Sequence, residues 1–527
     1  MSLLRQLQHW LIGHGPQLLT AEFVPETHAI RLWSDTFPWD AMVQAVEQNF
    51  ARRFPKKRPQ GGRPPVALRV LLALELLKHE LGASDEDMCQ RLRTDVAVMY
   101  ACGLREVQAD RSQAHFVLPE TLAQFRQRLD AELMDELVAI QAATAMEQGL
   151  VSPAHLLVDT FPVEQGSQRV TDATTLYKAQ KKSCAIEVIM RQGAPPAQAV
   201  SQQARELSQV LQKVMRSFGR QCRGHGKVFV KLVRETEGHL LVLGHPIEAW
   251  SQQARECLHQ DRVRRQAQRE RLLRDLEATH TAHRHITQQS QRLTQGKKLA
   301  QCKIVNAYDP TIAPILKGKS NCPAQFGRKT GIVSEPASGF IFANRVPAGN
   351  PSDPSYVLPL LDKVQHAMDL VVGPQRLRVH SLGGDLGIND TQLRQALHAR
   401  GILTVGIPTS VEPIHPTPSP EEVLEILNTS RLHRIRTPHQ VHLACASGYS
   451  RPVVEGHIAT LMARGADQVR YKGLEGAVIQ MGMIVMAHNG AVLVRIQQQR
   501  LSKRGQKFRR LLGLKQYKTN KINDSKN

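Results

Sequence analysis

Three acidic residues, each on a different kind of segment, carry the chemistry this sequence could do. Asp159 interrupts the apolar run "LLVDTFPVE" (156–164), where a lone carboxylate loses several kcal/mol of hydration unless something positive meets it. Asp385 follows a short apolar run in "HSLGGDLGIND", where Gly383 and Gly384 let the backbone turn tightly. Glu455 lies in "GYSRPVVEGHIATLMARG", which reads as a helix with Ser450 as N-cap, Pro452 in its first turn and Gly465 as its stop. Carboxylates on a strand interior, a strand end and a helix can converge on one point. Phosphoryl transfer on a nucleic acid by two divalent ions, Mg²⁺ or Mn²⁺, uses such a trio. These ions prefer oxygen ligands, and a pair roughly 4 Å apart stabilises both the attacking and the leaving oxygen. The ions would then be the positive partner of Asp159. Spacing alone does not single these three out from 47 acidic residues, because most such groups are solvated or ion-paired.

The elements that must position them fall into an order. Residues 66–81 ("VALRVLLALELLKHEL") have apolar positions at helical spacing and are stopped by Gly82. Ser84, with Asp87 three positions on, opens a second helix as a capping-box variant. Two helices across a short glycine turn read either as a DNA-binding helix-turn-helix or as a pair that merely packs. A third helix is expected over 120–149, ending at Gly149. The character then changes. Residues 156–163 form a strand candidate, "KTGIVSEPASGFIFANRV" a hairpin turning at 337–339, and 377–382 another short strand, so helices and strands assemble as α/β. Between them, 197–298 is polar and rich in Gln and Arg, an inserted helical arm in which "GKVFVKLVRETEGHLLVLGHP" satisfies both helical and hairpin periods. The Pro-rich stretch 407–422 reads as a surface loop. The resulting division is an N-terminal helical domain over 1–150, sheet domain over 151–196 and 301–496, arm over 197–300, and a basic tail over 497–527.

At 527 residues the chain exceeds one hydrophobic core, and length alone suggests roughly three domains. A net charge of +22, from 69 Lys and Arg against 47 Asp and Glu, points to a polyanionic partner, since neutralising phosphates releases counterions whatever the sequence. The basic clusters at Arg52, Arg53, Lys56, Lys57, Arg58 and Arg63, and at Lys503, Arg504, Lys507, Arg509, Arg510, Lys515 and Lys518, are candidate DNA contacts. Eight scattered cysteines without a C-x-x-C pair indicate neither a zinc ribbon nor a disulfide framework. His280, His283 and His285 could ligate a metal, but on a polar helix without a stronger motif a solvated face is favoured. No apolar run of bilayer length and no signal peptide is read, so a cytoplasmic protein is expected, nucleoid-associated when bound to DNA and without a membrane partner. No Walker-type loop suggests ATP use.

Six blocks, in order, resemble the DDE transposases of insertion sequences, in particular the ISNCY-like group. They are "GRPPVALRVLLALELLKHELGASDEDMCQRLRTDVAVMYACGL"; "LLVDTFPVEQGSQRVTDATTLYKA" around the first aspartate; "YDPTIAPILKGKSNCPAQFGRKTGIV"; "GNPSDPSYVLPLL"; "GGDLGINDTQLRQALHARGI" around the second; and "VVEGHIATLMARGADQVRYKGLEGAVIQMGMIVMAHN" around the glutamate. The resemblance covers about 37–494 and is weak across the arm and the Pro-rich loop. It implies an RNase H-like core, a mixed sheet flanked by helices with the first strand central. Asp159, Asp385 and Glu455 would then be the catalytic metal ligands, using two Mg²⁺ or Mn²⁺ ions. It further implies hydrolysis at transposon terminal inverted repeats and joining of the freed 3′-hydroxyl to target double-stranded DNA, with a homodimer at synapsis. Arg451, Lys317, Lys319, Lys329, Arg464 and Lys472 are the DNA-binding candidates; Lys317 and Lys319 either contact phosphates or merely sit in a loop.

The chain departs from the related signature at several positions. An arginine, the glutamate and a lysine are expected along one stripe of the last helix. Here Arg451 and Glu455 are kept, but Met462 takes the lysine position and Tyr449 is one place off. Beside Asp385, Leu386 and Ile388 replace a basic-aromatic pair. Methionine cannot bind phosphate electrostatically, so the departures imply weakened end binding or a decayed copy. The alternatives to an active transposase are therefore a DNA-binding remnant and a host nuclease on the same fold.

Overall fold

The fold is seen in a computed structural model, which describes residues 23–55, 66–104, 117–165, 171–191, 195–221, 227–261, 264, 266–295, 303–319, 322–371, 377–402, 404–406 and 450–511. The Pro-rich stretch 407–422 and Tyr449 lie outside the described residues.

The first part is helical: α1 (Ala29–Ser34), α2 (Trp39–Arg53), α3 (Leu68–Leu81), α4 (Asp85–Thr94), α5 (Val96–Ala101), α6 (Pro119–Arg128) and α7 (Ala131–Glu147). Gly82 ends α3 in a left-handed conformation, and the Ser84 hydroxyl accepts from the Asp87 amide at 3.0 Å. Asp87 does not complete a capping box: it turns to Arg91 at 3.1 Å. The single helix expected over 120–149 is two. Asp130 adopts extended geometry, and its carboxylate caps α7 by accepting from the Leu133 amide at 2.8 Å while meeting Arg53 at 2.8 Å. A short polar side chain that can bond its own backbone overrides the apolar periodicity here.

Among the described residues, six strands form one mixed sheet: β1 (His155–Glu164), β2 (Ala313–Lys319), β3 (Cys322–Ser334), β4 (Ile341–Arg345), β5 (Ser381–Gly383) and β6 (Thr404–Gly406). The order is β2-β3-β1-β5-β6, with β4 on the remaining part of the β3 edge. β3 runs antiparallel to β1, β2 and β4, whereas β5 is parallel to both β1 and β6. The expected hairpin is β3–β4, and β1 is central. Close approach fixes Gly327 on β3: a Cβ there would stand 1.9 Å from the Val163 carbonyl of β1, so no other residue fits without parting the strands.

Each sheet face has its own helices, because successive strand side chains point to opposite faces. Leu157, Phe161, Val163 and Ile332 join a cluster that includes α2, α3, α7, α16 (Ser450–Leu461) and α17 (Gly473–Leu511). Leu156, Val158 and Val333 pack with α14 (Pro354–Asp369) and α15 (Thr391–Ala399). The A-H-N run inside α17 docks the hairpin: Asn489 exchanges hydrogen bonds with the Ile341 backbone at 2.8 and 2.9 Å, and His488 bonds the Gly339 carbonyl at 2.9 Å. By length and composition the stretch Gly473–Leu501 could cross a bilayer, contrary to the expectation that no apolar run is long enough, but 83% of its apolar window is buried inside the protein.

The inserted segment is a helical bundle with its own core: α8 (Asp172–Ser183), α9 (Ile186–Met190), α10 (Pro195–Gln221), α11 (Lys227–Leu243), α12 (Ile247–Gln260) and α13 (Gln266–Thr294). The ambiguous stretch is the helix α11. α8 and α9, within the span read as sheet domain, bury Ala173, Leu176, Ile186 and Met190 in this bundle instead. His283 also faces its interior, so the expected solvated histidine face holds only for exposed His285. Burial pulls the His283 imidazole down to about 4 and keeps it neutral.

Candidate functional site

Asp159 lies mid-strand on β1, opposite Ile332 of β3. Strand alternation puts it on the face of Leu157 and Phe161, the face covered by α16. Asp385 comes to it through register. The last paired couple of β1 and β5 is Leu157–Gly383, and Asp159 and Asp385 each stand two residues beyond it. Glu455 is presented by α16, whose Val454, Ile458 and Leu461 are buried at helical spacing and anchor the helix in the cluster under β1, while Glu455 itself is exposed.

The electrostatics tie these groups together. Burial pushes the Asp159 carboxyl up to about 7, opposed by a hydrogen bond from the Thr160 amide at 2.7 Å and reinforced by the charges of Asp385, Asp353 and Glu455. Asp353 was missed by sequence reasoning, although its block "GNPSDPSYVLPLL" was in view. It immediately precedes α14, and its Oδ1 accepts from Thr160 Oγ1 at 2.7 Å and from Lys329 Nζ at 2.6 Å. Asp353 Oδ2 and Asp385 Oδ1 lie 3.1 and 3.2 Å from the point where a Cβ on Gly387 would stand. Glycine thus leaves open the space between two carboxylates.

Among the described residues, no three His, Cys, Asp or Glu side chains stand together closely enough to hold a metal ion. The donors themselves are carboxylate oxygens, the type a hard divalent cation takes, and one of them, on Asp353, is paired with the Lys329 ammonium at 2.6 Å.

The other candidates divide. Lys329 is tied to Asp353 at 2.6 Å, and Arg464 to Glu80 of α3 at 3.1 Å. Lys472 is exposed between Tyr471 and α17. Arg451 lies in the first turn of α16, and Lys317 and Lys319 lie on β2; their side chains are outside the description. Arg52 and Arg53 pair with Glu132 at 3.0 Å and Asp130 at 2.8 Å. The remaining cations of both basic clusters have no described side chains. Met462, seven residues after exposed Glu455, is partly buried. It begins a π-helical turn, Met462–Ala466, and packs against the main cluster beside a cleft of about 490 Å³ shared with the α3–α4 turn. An apolar side chain suits that place.

Comparison with known proteins adds one result. No curated protein and no solved structure matches the chain. Residues 19–128, spanning α1 to α6, match the family model described as Transposase domain (DUF772). The N-terminal helices are therefore similar to a transposase domain, which supports a transposase family as the chain's affiliation.

Proposed function

We propose that this protein is an insertion-sequence DDE transposase of the ISNCY-like group with an RNase H-like core. In this reading it hydrolyses DNA at transposon terminal inverted repeats and joins the freed 3′-hydroxyl to target DNA. One observation carries the reading: the central-strand carboxylate Asp159 is desolvated and under the charge of both Asp385 and Glu455, in a chain whose N-terminal helices are similar to a transposase domain. Asp159, Asp385 and Glu455 would hold two Mg²⁺ or Mn²⁺ ions. When bound, such ions stabilise the attacking and leaving oxygens of an in-line displacement and lower the pKa of attacking water. The chain's own contribution is orientation. β1 and β5 set the two aspartates in register, and the buried flank of α16 holds the glutamate at the sheet face. In the first step a water oxygen bonds phosphorus and the DNA 3′-oxygen leaves; in the second, that 3′-oxygen bonds a target phosphorus and the target's own 3′-oxygen leaves. Synapsis of two ends calls for a homodimer, which sedimentation on paired ends would reveal.

The test is an end-cleavage assay on inverted-repeat DNA with Mg²⁺ or Mn²⁺. Asp159→Asn, Asp385→Asn and Glu455→Gln are each expected to lower cleavage at least ~10³-fold, the scale on which removing a preorganised electrostatic group acts, while DNA binding in a gel-shift assay persists. Wild-type cleavage by Asp159→Asn would sink the assignment. Met462 packs against the main cluster and Arg464 pairs with Glu80; cleavage that appears only after Met462→Lys would favour the decayed-copy reading.

A further inference from the structure

We propose that Asp353 is a fourth carboxylate of this site, a positioning residue that sets β1 and the Asp385 loop relative to one another. The inference rests on the reading that Asp159 and Asp385 hold the catalytic cations.

Asp353 occupies the N-cap position of α14, with Pro354 next. An aspartate there ordinarily turns its carboxylate back to accept from its own helix's amides. Asp353 makes no such bond, and its backbone is helical (φ −58, ψ −40) rather than extended. Its Oδ1 is spent on two strands instead: Thr160 of β1 at 2.7 Å and Lys329 of β3 at 2.6 Å. Its Oδ2 faces the gap at Gly387, whose other side is lined by Asp385 Oδ1 and Oδ2 at 3.2 and 3.5 Å from the same point.

One side chain thus spans β1, β3, the start of α14 and the Asp385 loop. Thr160 is the covalent neighbour of Asp159, and its amide donates to Asp159 Oδ1 at 2.7 Å, so holding the Thr160 hydroxyl holds the backbone from which the first carboxylate projects. A cap alone would be served by serine or asparagine without adding negative charge beside Asp159. The aspartate's charge is used to keep the Lys329 ammonium in place. Ligand carboxylates gain from being held by outer groups in this way.

Two measurements on the full-length protein test the proposal: Mn²⁺ binding by titration calorimetry, and Mn²⁺-dependent end cleavage. The variants are Asp353→Asn, Thr160→Val and the double substitution, with melting curves as a check on folding. Each single variant should weaken Mn²⁺ binding about tenfold and slow cleavage about 10–100-fold, the range for losing an outer-shell partner. The double variant should lose less than the two single losses combined, because the contact that Thr160→Val removes is one of the two that Asp353 makes. Asp353→Glu, keeping the charge, should recover part of the loss. Wild-type Mn²⁺ affinity and cleavage in Asp353→Asn, or simple additivity in the double variant, overturns the proposal. Should Asp353→Asn fail to fold, Thr160→Val decides alone. Failure of the underlying reading looks different: Asp159→Asn would then keep Mn²⁺ binding and cleavage, or the wild type would bind no Mn²⁺ at all, which removes both.

Discussion

Asp159 titrates where the cell's pH lies. Its folded carboxyl sits at about 7 against an ordinary value of 3.8, so the folded state binds this proton more tightly than the unfolded one. The sign follows: its contribution to stability is fully present below about pH 4 and is lost as pH rises through about 7. Metal-free wild-type protein should therefore lose stability relative to Asp159→Asn across that window, by an amount on the order of 2 kcal/mol after discounting for partial exposure. Melting temperatures of the pair measured from pH 4 to pH 8 check it; a gap that does not widen with pH contradicts the burial argument. The same scale explains why cations chosen by residue type need not be open to DNA. Lys329 and Arg464 stand within 2.6 and 3.1 Å of carboxylates, so a phosphate would have to compete with partners already in place.

At the scale of elements, strand and helix signals located most of the frame. The apolar run around Asp159, the glycine turn between α3 and α4, and the hairpin β3–β4 were legible because residue type and turn chemistry agree there. The break between α6 and α7 was not, since Asp130 reads as an ordinary helix-surface residue until its capping bond to Leu133 and its contact with Arg53 are seen. Asp130→Ala should cost about 1–2 kcal/mol in urea unfolding, as lost N-caps do. No change would mean that packing alone ends α6. The turn after α16 teaches a related lesson: regular helix ends at Leu461, and a π turn with Gly465 at φ 93 redirects the chain beyond it.

Across the whole molecule, the N-terminal helices and the sheet are not separate bodies. Trp33, Leu74 and Leu137 share one cluster with Leu157, Ile332 and Met483, and a polar network crosses the same boundary. Fully buried Glu75 of α3 bonds Arg126 of α6 and accepts from the Tyr471 hydroxyl at 3.1 Å, while Arg126 also meets Asp85 at 2.5 Å and stacks 4.9 Å from the Tyr471 ring. Burial pushes the Glu75 carboxyl up, with Arg126 the chief opposing charge. Arg126→Met should strand that carboxylate and destabilise the protein by roughly 3–5 kcal/mol at neutral pH, less under acid conditions where Glu75 takes a proton. Chemical denaturation at both pH values tests this, and an equal loss at each would show that the charge is not the cause. The R-Y-K-G block thus reads as a fastening between the helices that match a transposase domain and the segment after Glu455.

By itself, the sequence determined which residue types could carry phosphoryl transfer, the α/β character of the second part, and a charge suited to a polyanion, because these depend on composition and on local periods of two and 3.6 residues. Tertiary structure alone decided which carboxylates share an environment. Register between β1 and β5 aligned Asp159 with Asp385, and packing beneath α16 set Glu455 over the same face. It also brought in Asp353, whose chemistry comes from Thr160 and Lys329 nearly two hundred and about two dozen residues earlier in the chain. The physical reason is range: local sequence fixes the direction of a side chain on its own element, whereas desolvation and charge coupling depend on neighbours supplied by distant segments.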